Sequence, residues 1–164
     1  MTQDITTPIT MRADLWREWI DDLRSGKHKQ VQGVHNNGRG GFCCLGRLID
    51  LLVQRGIGRW DASCGIAGGL AYIPLGEHDG EWETLPEEVA AYARFRGGAL
   101  VEPNTGESNY FGGPVVPNEL DCGPKPLADL NDGGCTFRSL SFAEIADLIE
   151  THITPVPVEE LPDR

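Results

Sequence analysis

No apolar run in this 164-residue chain approaches the roughly 18 residues a membrane-spanning helix needs, so no spanning segment is expected. The five cysteines contain no C-x-x-C pair, which removes the short, fixed ligand spacing of a structural zinc site. Their number is odd and Cys43 and Cys44 are neighbours, so reduced thiols are expected rather than a disulfide framework. Met1-Thr2-Gln3-Asp4 has neither the basic start nor the apolar stretch of a signal peptide. There is no G-x-G-x-x-G in a dinucleotide-binding context and no P-loop lysine and hydroxyl pair. Basic residues are also few, with 14 Lys and Arg against 25 Asp and Glu and a net charge of −11. Binding to a nucleic-acid backbone is largely counterion release by Lys and Arg, so bulk nucleic acid is not an expected partner.

What is present suits one globular domain. The length falls near the size of a single hydrophobic core, and 40% of the residues are hydrophobic, four of them Trp. The charge is unevenly placed. From Arg12 to Arg59 there are nine Lys or Arg against five acids, and from Trp60 onward five against nineteen. A basic face around Lys27, His28, Lys29 and Arg39 is therefore a candidate surface for a small anion or an acidic partner, set against the commoner reading of a solvated face.

Leu15, Trp16, Trp19, Ile20 and Leu23 recur at helical spacing, predicting a first helix over Met11 to Ser25 with Thr10 as its cap and Gly26 as its stop. A hairpin is expected next, its strand Gln30 to His35 turning at Asn36-Asn37-Gly38 and returning into Phe42. A second apolar helix runs from Cys43 to about Gln54. Leu70 to Leu75 is the best strand in the glycine-broken region that follows, with the Trp82 region as its return. Thr84-Leu85-Pro86-Glu87 reads as a capping box for a third helix through Val89, Tyr92 and Ala93. Residues 97 to 125 read as a packed functional loop or short edge strands at Leu100-Val101 and Val115-Val116. Pro126 to Asn131 predicts a short helix, and Ser141-Phe142-Ala143-Glu144, with Leu140 and Ile145 at staple spacing, predicts a last helix over Phe142 to His152. The expected fold is α+β, a small antiparallel sheet packed against about four helices. The domain is expected over residues 10–153, with a flexible arm at 1–9 and a flexible, proline-broken tail at 154–164.

Five blocks of the chain resemble one family. They are Leu23-Arg24-Ser25-Gly26-Lys27 with Lys29-Gln30, Gly41-Phe42-Cys43-Cys44-Leu45-Gly46, Leu85 to Val89, Leu127 to Asp132 and Ser141 to Glu150. In this order they resemble a group of small bacteriophage and prophage proteins, often of actinobacterial hosts. The Cys-Cys-Leu-Gly helix start and the Leu-Asn-Asp with Ser-Phe-x-Glu-Ile-Ala are the specific parts. Here Cys135 to Leu140 stands between the Asn-Asp-Gly element and the Ser-Phe helix, a departure from the group's pattern. The resemblance implies a phage origin and an accessory role in the cytoplasm of the infected cell; it implies no activity.

Three chemistries are weighed. Cys43 or Cys44 in a first helical turn, where the helix dipole and free N–H groups favour a thiolate, would serve a thiol-dependent hydrolase or transferase. His35 is the nearest imidazole in sequence, His78 and His152 are alternatives, and Asn131 or Asp132 is the orienting group. The apolar neighbours Phe42 and Leu45 point the other way, to buried and inert thiols. An anion could sit on Asn36-Asn37-Gly38-Arg39-Gly40-Gly41 before the helix, with Lys27, Lys29, Asn37, Arg39 and Gly41 as the candidate ligand-binding residues. Metal ligation by the cysteines and histidines is not expected, nor is a cofactor. The favoured reading is a non-catalytic, phage-encoded cytoplasmic protein that binds a host protein or a small, nucleotide-like anion. The alternatives are the thiol enzyme and a virion-associated structural protein.

Overall fold

A computed structural model of the protein describes residues 8–62, 69–78, 80, 85–96, 113–116, 125–133 and 139–161. Along the chain they form β1 (Ile9–Arg12), α1 (Ala13–Arg24), β2 (Lys29–Gln30), β3 (Gly41–Phe42), α2 (Cys44–Gln54), β4 (Arg59–Asp61) and β5 (Ala71–Ile73). Then come α3 (Glu87–Ala93), β6 (Val115–Val116), β7 (Lys125–Pro126), α4 (Leu127–Asp132), α5 (Phe142–His152), β8 (Ile153–Val156) and a final 3-10 turn, Val158–Glu160. One apolar cluster takes side chains from β1, β5, β6, β8 and all five helices, which makes this a single α+β domain among the described residues.

The helices follow their apolar periodicity. Leu15, Trp16, Trp19, Ile20 and Leu23 of α1 are buried against the Phe142, Ile145, Ala146 and Ile149 face of α5 and against α2. Each such side chain contributes about 1.5–3 kcal/mol on full burial. The indole N–H groups inside the core are satisfied: Trp16 Nε1 donates to the Ile153 carbonyl at 2.8 Å, and Trp19 Nε1 to the Cys44 carbonyl at 3.0 Å. The start of α5 is a reciprocal capping box. Ser141 Oγ accepts from the Glu144 N–H at 3.2 Å, and Glu144 Oε2 accepts from the Ser141 N–H at 2.8 Å.

The strands depart from expectation. Thr10 is not a helix cap: Ile9–Arg12 is extended and pairs in parallel with Ile153–Val156, and α1 begins only at Ala13. Residues 154–156 are accordingly a strand, and Ile9 is a buried strand residue instead of part of an arm. Thr10 also exchanges backbone hydrogen bonds with Arg96 on its other side, so β1 is flanked on both sides and, among the described residues, β8 is the outer strand. An outer strand tolerates Pro155, whose missing N–H then costs no ladder bond. The expected hairpin is replaced by a looped crossover, with Lys29 opposite Gly41 and Gln30 opposite Phe42 in parallel register. The turn at 36–38 survives as a local reversal, since the Asn37 N–H donates to the Gly41 carbonyl. The return partner of β5 is the preceding segment β4, and the Val115–Val116 strand pairs with Lys125–Pro126. Among the described residues, four two-stranded pairs, two of them parallel, make up the β part of this α+β fold in place of one antiparallel sheet. Pro86, expected in the first turn of α3, is its N-cap; Thr84, Leu100-Val101 and Trp82 lie outside the described residues.

Arg47 joins α1 to α2 from inside. It is 1% exposed, and its guanidinium meets Asp22 through two bonds of 2.7 and 2.9 Å and Asp50 through one of 2.9 Å. The Phe42 ring lies beneath it at 4.4 Å, and Trp60 Nε1 donates to Asp50 at 2.9 Å. Burial alone would lower the pKa of this guanidinium, but the two carboxylates more than offset it and hold it above the ordinary value. Breaking such a network from one side leaves uncompensated charge, whereas a single cap costs less.

Ser141→Ala is expected to lower unfolding free energy by about 1 kcal/mol in urea titrations, through loss of the cap bond to Glu144. An unchanged midpoint would remove the capping box from the account of α5.

Candidate functional site

The two cysteines, His35 and Asn131, far apart in sequence, meet at the start of α2. The loop 31–37 lies across this helix end so closely that the Cys43 N–H donates to the His35 carbonyl at 3.3 Å. A Cβ on Gly46 would stand 1.7 Å from that same oxygen, so only glycine fits. Cys43 is the N-cap, its Sγ accepting from the Gly46 N–H at 3.2 Å. Cys44 points inward, with its thiol 3.5 Å from the Leu127 carbonyl of α4, and its N–H donates to Asn131 Oδ1 at 3.2 Å. The Cys-Cys-Leu-Gly sequence is thus a cap, a core thiol, a core leucine and a point of backbone contact.

His35 Nδ1 and Cys43 Sγ lie 3.3 Å apart, the separation a thiol–imidazole pair requires. The rest of the environment opposes catalysis. His35 is 1% and Cys43 5% exposed, and Cys44 is fully buried. Burial pushes the Cys43 thiol up to about 12, against the Gly46 N–H that favours the thiolate, and pushes Cys44 well above the ordinary value. This corrects the lowered pKa expected from the helix dipole, because desolvation of a buried thiolate outweighs a terminal partial charge. Asn131 is no orienting group for His35. Its Oδ1 accepts from Cys44 N–H and from Gln30 Nε2, and its Nδ2 donates to the Val31 carbonyl and to Asp132 Oδ1. The other imidazoles are elsewhere, His78 exposed beyond β5 and His152 at the end of α5. Among the described residues no three His, Cys, Asp or Glu side chains converge as a metal ion requires, and Cys64, Cys122 and Cys135 lie outside them.

The glycine turn before α2 is closed on itself. Asn36 Oδ1 accepts from the Gly38 N–H at 2.8 Å, and Asn37 Oδ1 accepts from the Arg39 and Gly41 N–H groups at 2.9 and 2.8 Å. Gly41 is held so near that a Cβ would come within 2.5 Å of the Val31 side chain and 2.6 Å of the Asn37 amide. An anion cradle needs those N–H groups free, and the Asn side chains occupy them. What the turn does supply is a fixed support for charge. Lys27, Lys29 and Arg39 are exposed, and the Lys29–Gly41 register sets Lys29 beside the turn that carries Arg39. Among the described residues these three cations hold no carboxylate, whereas Arg12, Arg24, Arg47, Arg55 and Arg59 each do.

On one side of the 30–32 segment lies an open cleft of about 540 Å³. Its walls include Gln30, Gln32, Asn131, Ser139, Leu140 and Ser141. The two glutamines, both on this side, were not singled out by sequence reading; their i, i+2 spacing in an extended segment is the signal that places them on one face.

The chain belongs to the family described as a domain of unknown function (DUF8296), which matches residues 11–153, from within β1 to the first residue of β8. No curated protein and no solved structure matches it. No helix among the described residues is long and apolar enough to cross a membrane.

Two outcomes are expected at the α2 start. Site-resolved iodoacetamide labelling of the native protein should be slow at Cys43 and Cys44 and should not accelerate as pH passes ~8.5, the usual thiol value, becoming fast only in denaturant. Rapid native labelling of one of the two would place a reactive thiolate there. Gly46→Ala should destabilise the domain by about 3 kcal/mol, read from the urea midpoint, since the new methyl must displace the His35 backbone.

Proposed function

We propose that this DUF8296 chain is a non-catalytic accessory protein that captures an acidic surface of a host protein, or a small anion, through Lys27, Lys29 and Arg39. The observation that carries this reading is the contrast in ion pairing. In a chain of net charge −11 these cations keep no carboxylate among the described residues, while five arginines are tied to theirs. Lysines and arginines held apart from local carboxylates retain their attraction for an incoming anion, and a turn locked by Asn37 lowers the ordering cost of presenting them. Phage or prophage origin, and work in the cytoplasm of an infected bacterium, are the part of this proposal that rests on the five-block resemblance.

The thiol-dependent hydrolase is the second reading, favoured by the 3.3 Å contact of His35 with Cys43. It requires a thiolate that substrate can reach, and both thiols are buried and held in the neutral form. The alkylation experiment separates it from the binding reading.

Lys29→Glu combined with Arg39→Glu should abolish capture of host-extract proteins by the immobilised full chain and leave the melting temperature nearly unchanged. Capture by the unaltered chain should weaken as salt rises, because charges at an exposed rim are screened over ~8 Å at physiological ionic strength. Equal capture by both chains would leave these residues as a solvated face.

A further inference from the structure

We infer that the cleft between residues 30–32 and the start of α5 is a binding site for an uncharged ligand that carries a secondary amide, as a peptide backbone does. It rests on observations separate from the basic surface. The volume, about 540 Å³, lies in the range of small-molecule sites. Among the described residues no Lys, Arg, Asp or Glu lines it, although 24% of the chain is charged. The described lining offers neutral amide, hydroxyl and apolar groups, the kind that hold an uncharged polar ligand.

The hydrogen bonds already made decide what the walls have left to offer. Gln30 is fully engaged: its Nε2 donates to Asn131 Oδ1 at 2.8 Å and to the Leu140 carbonyl at 2.7 Å, and its Oε1 accepts from the Phe142 N–H at 3.0 Å. Gln32 Nε2 donates to the Asn131 carbonyl at 3.4 Å and to Ser139 Oγ, which uses both its protons. The Gln32 amide is thereby held in place, and among the described residues nothing donates to its Oε1. On the other wall Ser141 Oγ accepts from the Glu144 N–H, so its hydroxyl proton remains to be donated. The lining residues therefore include an acceptor, Gln32 Oε1, and a donor, the Ser141 hydroxyl, that no bond among the described residues engages. A secondary amide supplies the matching N–H and C=O in one rigid group, and the walls are ordered before it arrives.

The probe is N-acetyl-glycyl-glycine N-methylamide, titrated into the isotope-labelled full chain and followed by amide NMR. Saturable shifts are expected at the Gln32 side chain and at the backbone of Ser139–Ser141. Gln32→Leu, which keeps the stem and removes the acceptor, should weaken binding by about tenfold with the melting temperature retained. Ser141→Asp keeps a good helix cap but has no proton to donate, and should also weaken it. The Lys29→Glu, Arg39→Glu chain should bind the probe as well as the parent, which distinguishes this site from the basic surface. No saturable shift, equal affinity in Gln32→Leu, loss of binding in the Lys29→Glu, Arg39→Glu chain, or a preference for methylammonium over the peptide would each overturn the assignment.

Discussion

The contact between the His35 carbonyl and the first turn of α2 is the constraint around which the rest of the molecule is arranged. A loop can cross a helix end at that distance only where a residue has no side chain, and Gly46 is that residue. With the loop seated, Cys43 caps the helix, Cys44 turns into the core beneath Trp19, and Val31 comes within reach of Asn131. From Asn131 the chain of bonds continues through Gln30 to Leu140 and Phe142, so that the starts of two helices and the end of a third share one polar seam.

Besides the buried His35 and Asn36, two polar networks run through the apolar interior of the described residues. One is neutral, the Asn131–Gln30 seam, in which each amide atom has a partner. The other is ionic, with Arg47 between Asp22 and Asp50. Neither is a strong source of net stability, since desolvation offsets most of the attraction. Their effect is selective: an alternative packing of α1 on α2, or of α4 on the 29–32 segment, would leave these groups without partners at high cost. The same saturation marks the place where Cys, His and Asn come together: Cys43 caps α2 and Asn131 is fully hydrogen-bonded, so these groups hold the fold as well as lying close to one another.

The helices α1, α2 and α5 were legible because their signals are local: apolar spacing, a capping box and glycine stops. The buried faces of α1 and α5 are those the spacing indicates. The β1–β8 pair was not legible, since nothing near Thr10 or Pro155 specifies a partner 144 residues away, and each segment read alone suggests an arm, a cap or a loose tail. The parallel β2–β3 pairing was hidden for a related reason, as Asn-Gly chemistry specifies a turn but not the path leading to it. At the site, sequence reading assembled Cys43, Cys44, His35 and Asn131, and the structure does bring them together. It missed their state. A helix dipole can be inferred from a few neighbouring residues, whereas burial of a thiol depends on α4 and the 31–37 loop, which no local pattern announces.

The pairing of residues 9–12 with 153–156 also sets the order of events during synthesis. The apolar side of α1, with Trp16 and Trp19, emerges from the ribosome long before α5, which covers part of it. At roughly 5–20 residues per second the interval is on the order of ten seconds. Throughout it the face of α1 that α5 will cover is open to chaperones, proteases or a neighbouring chain. Closure of the domain is then a late event with a long loop to bring together, and the high separation in sequence between contacting elements places it among slow-folding topologies.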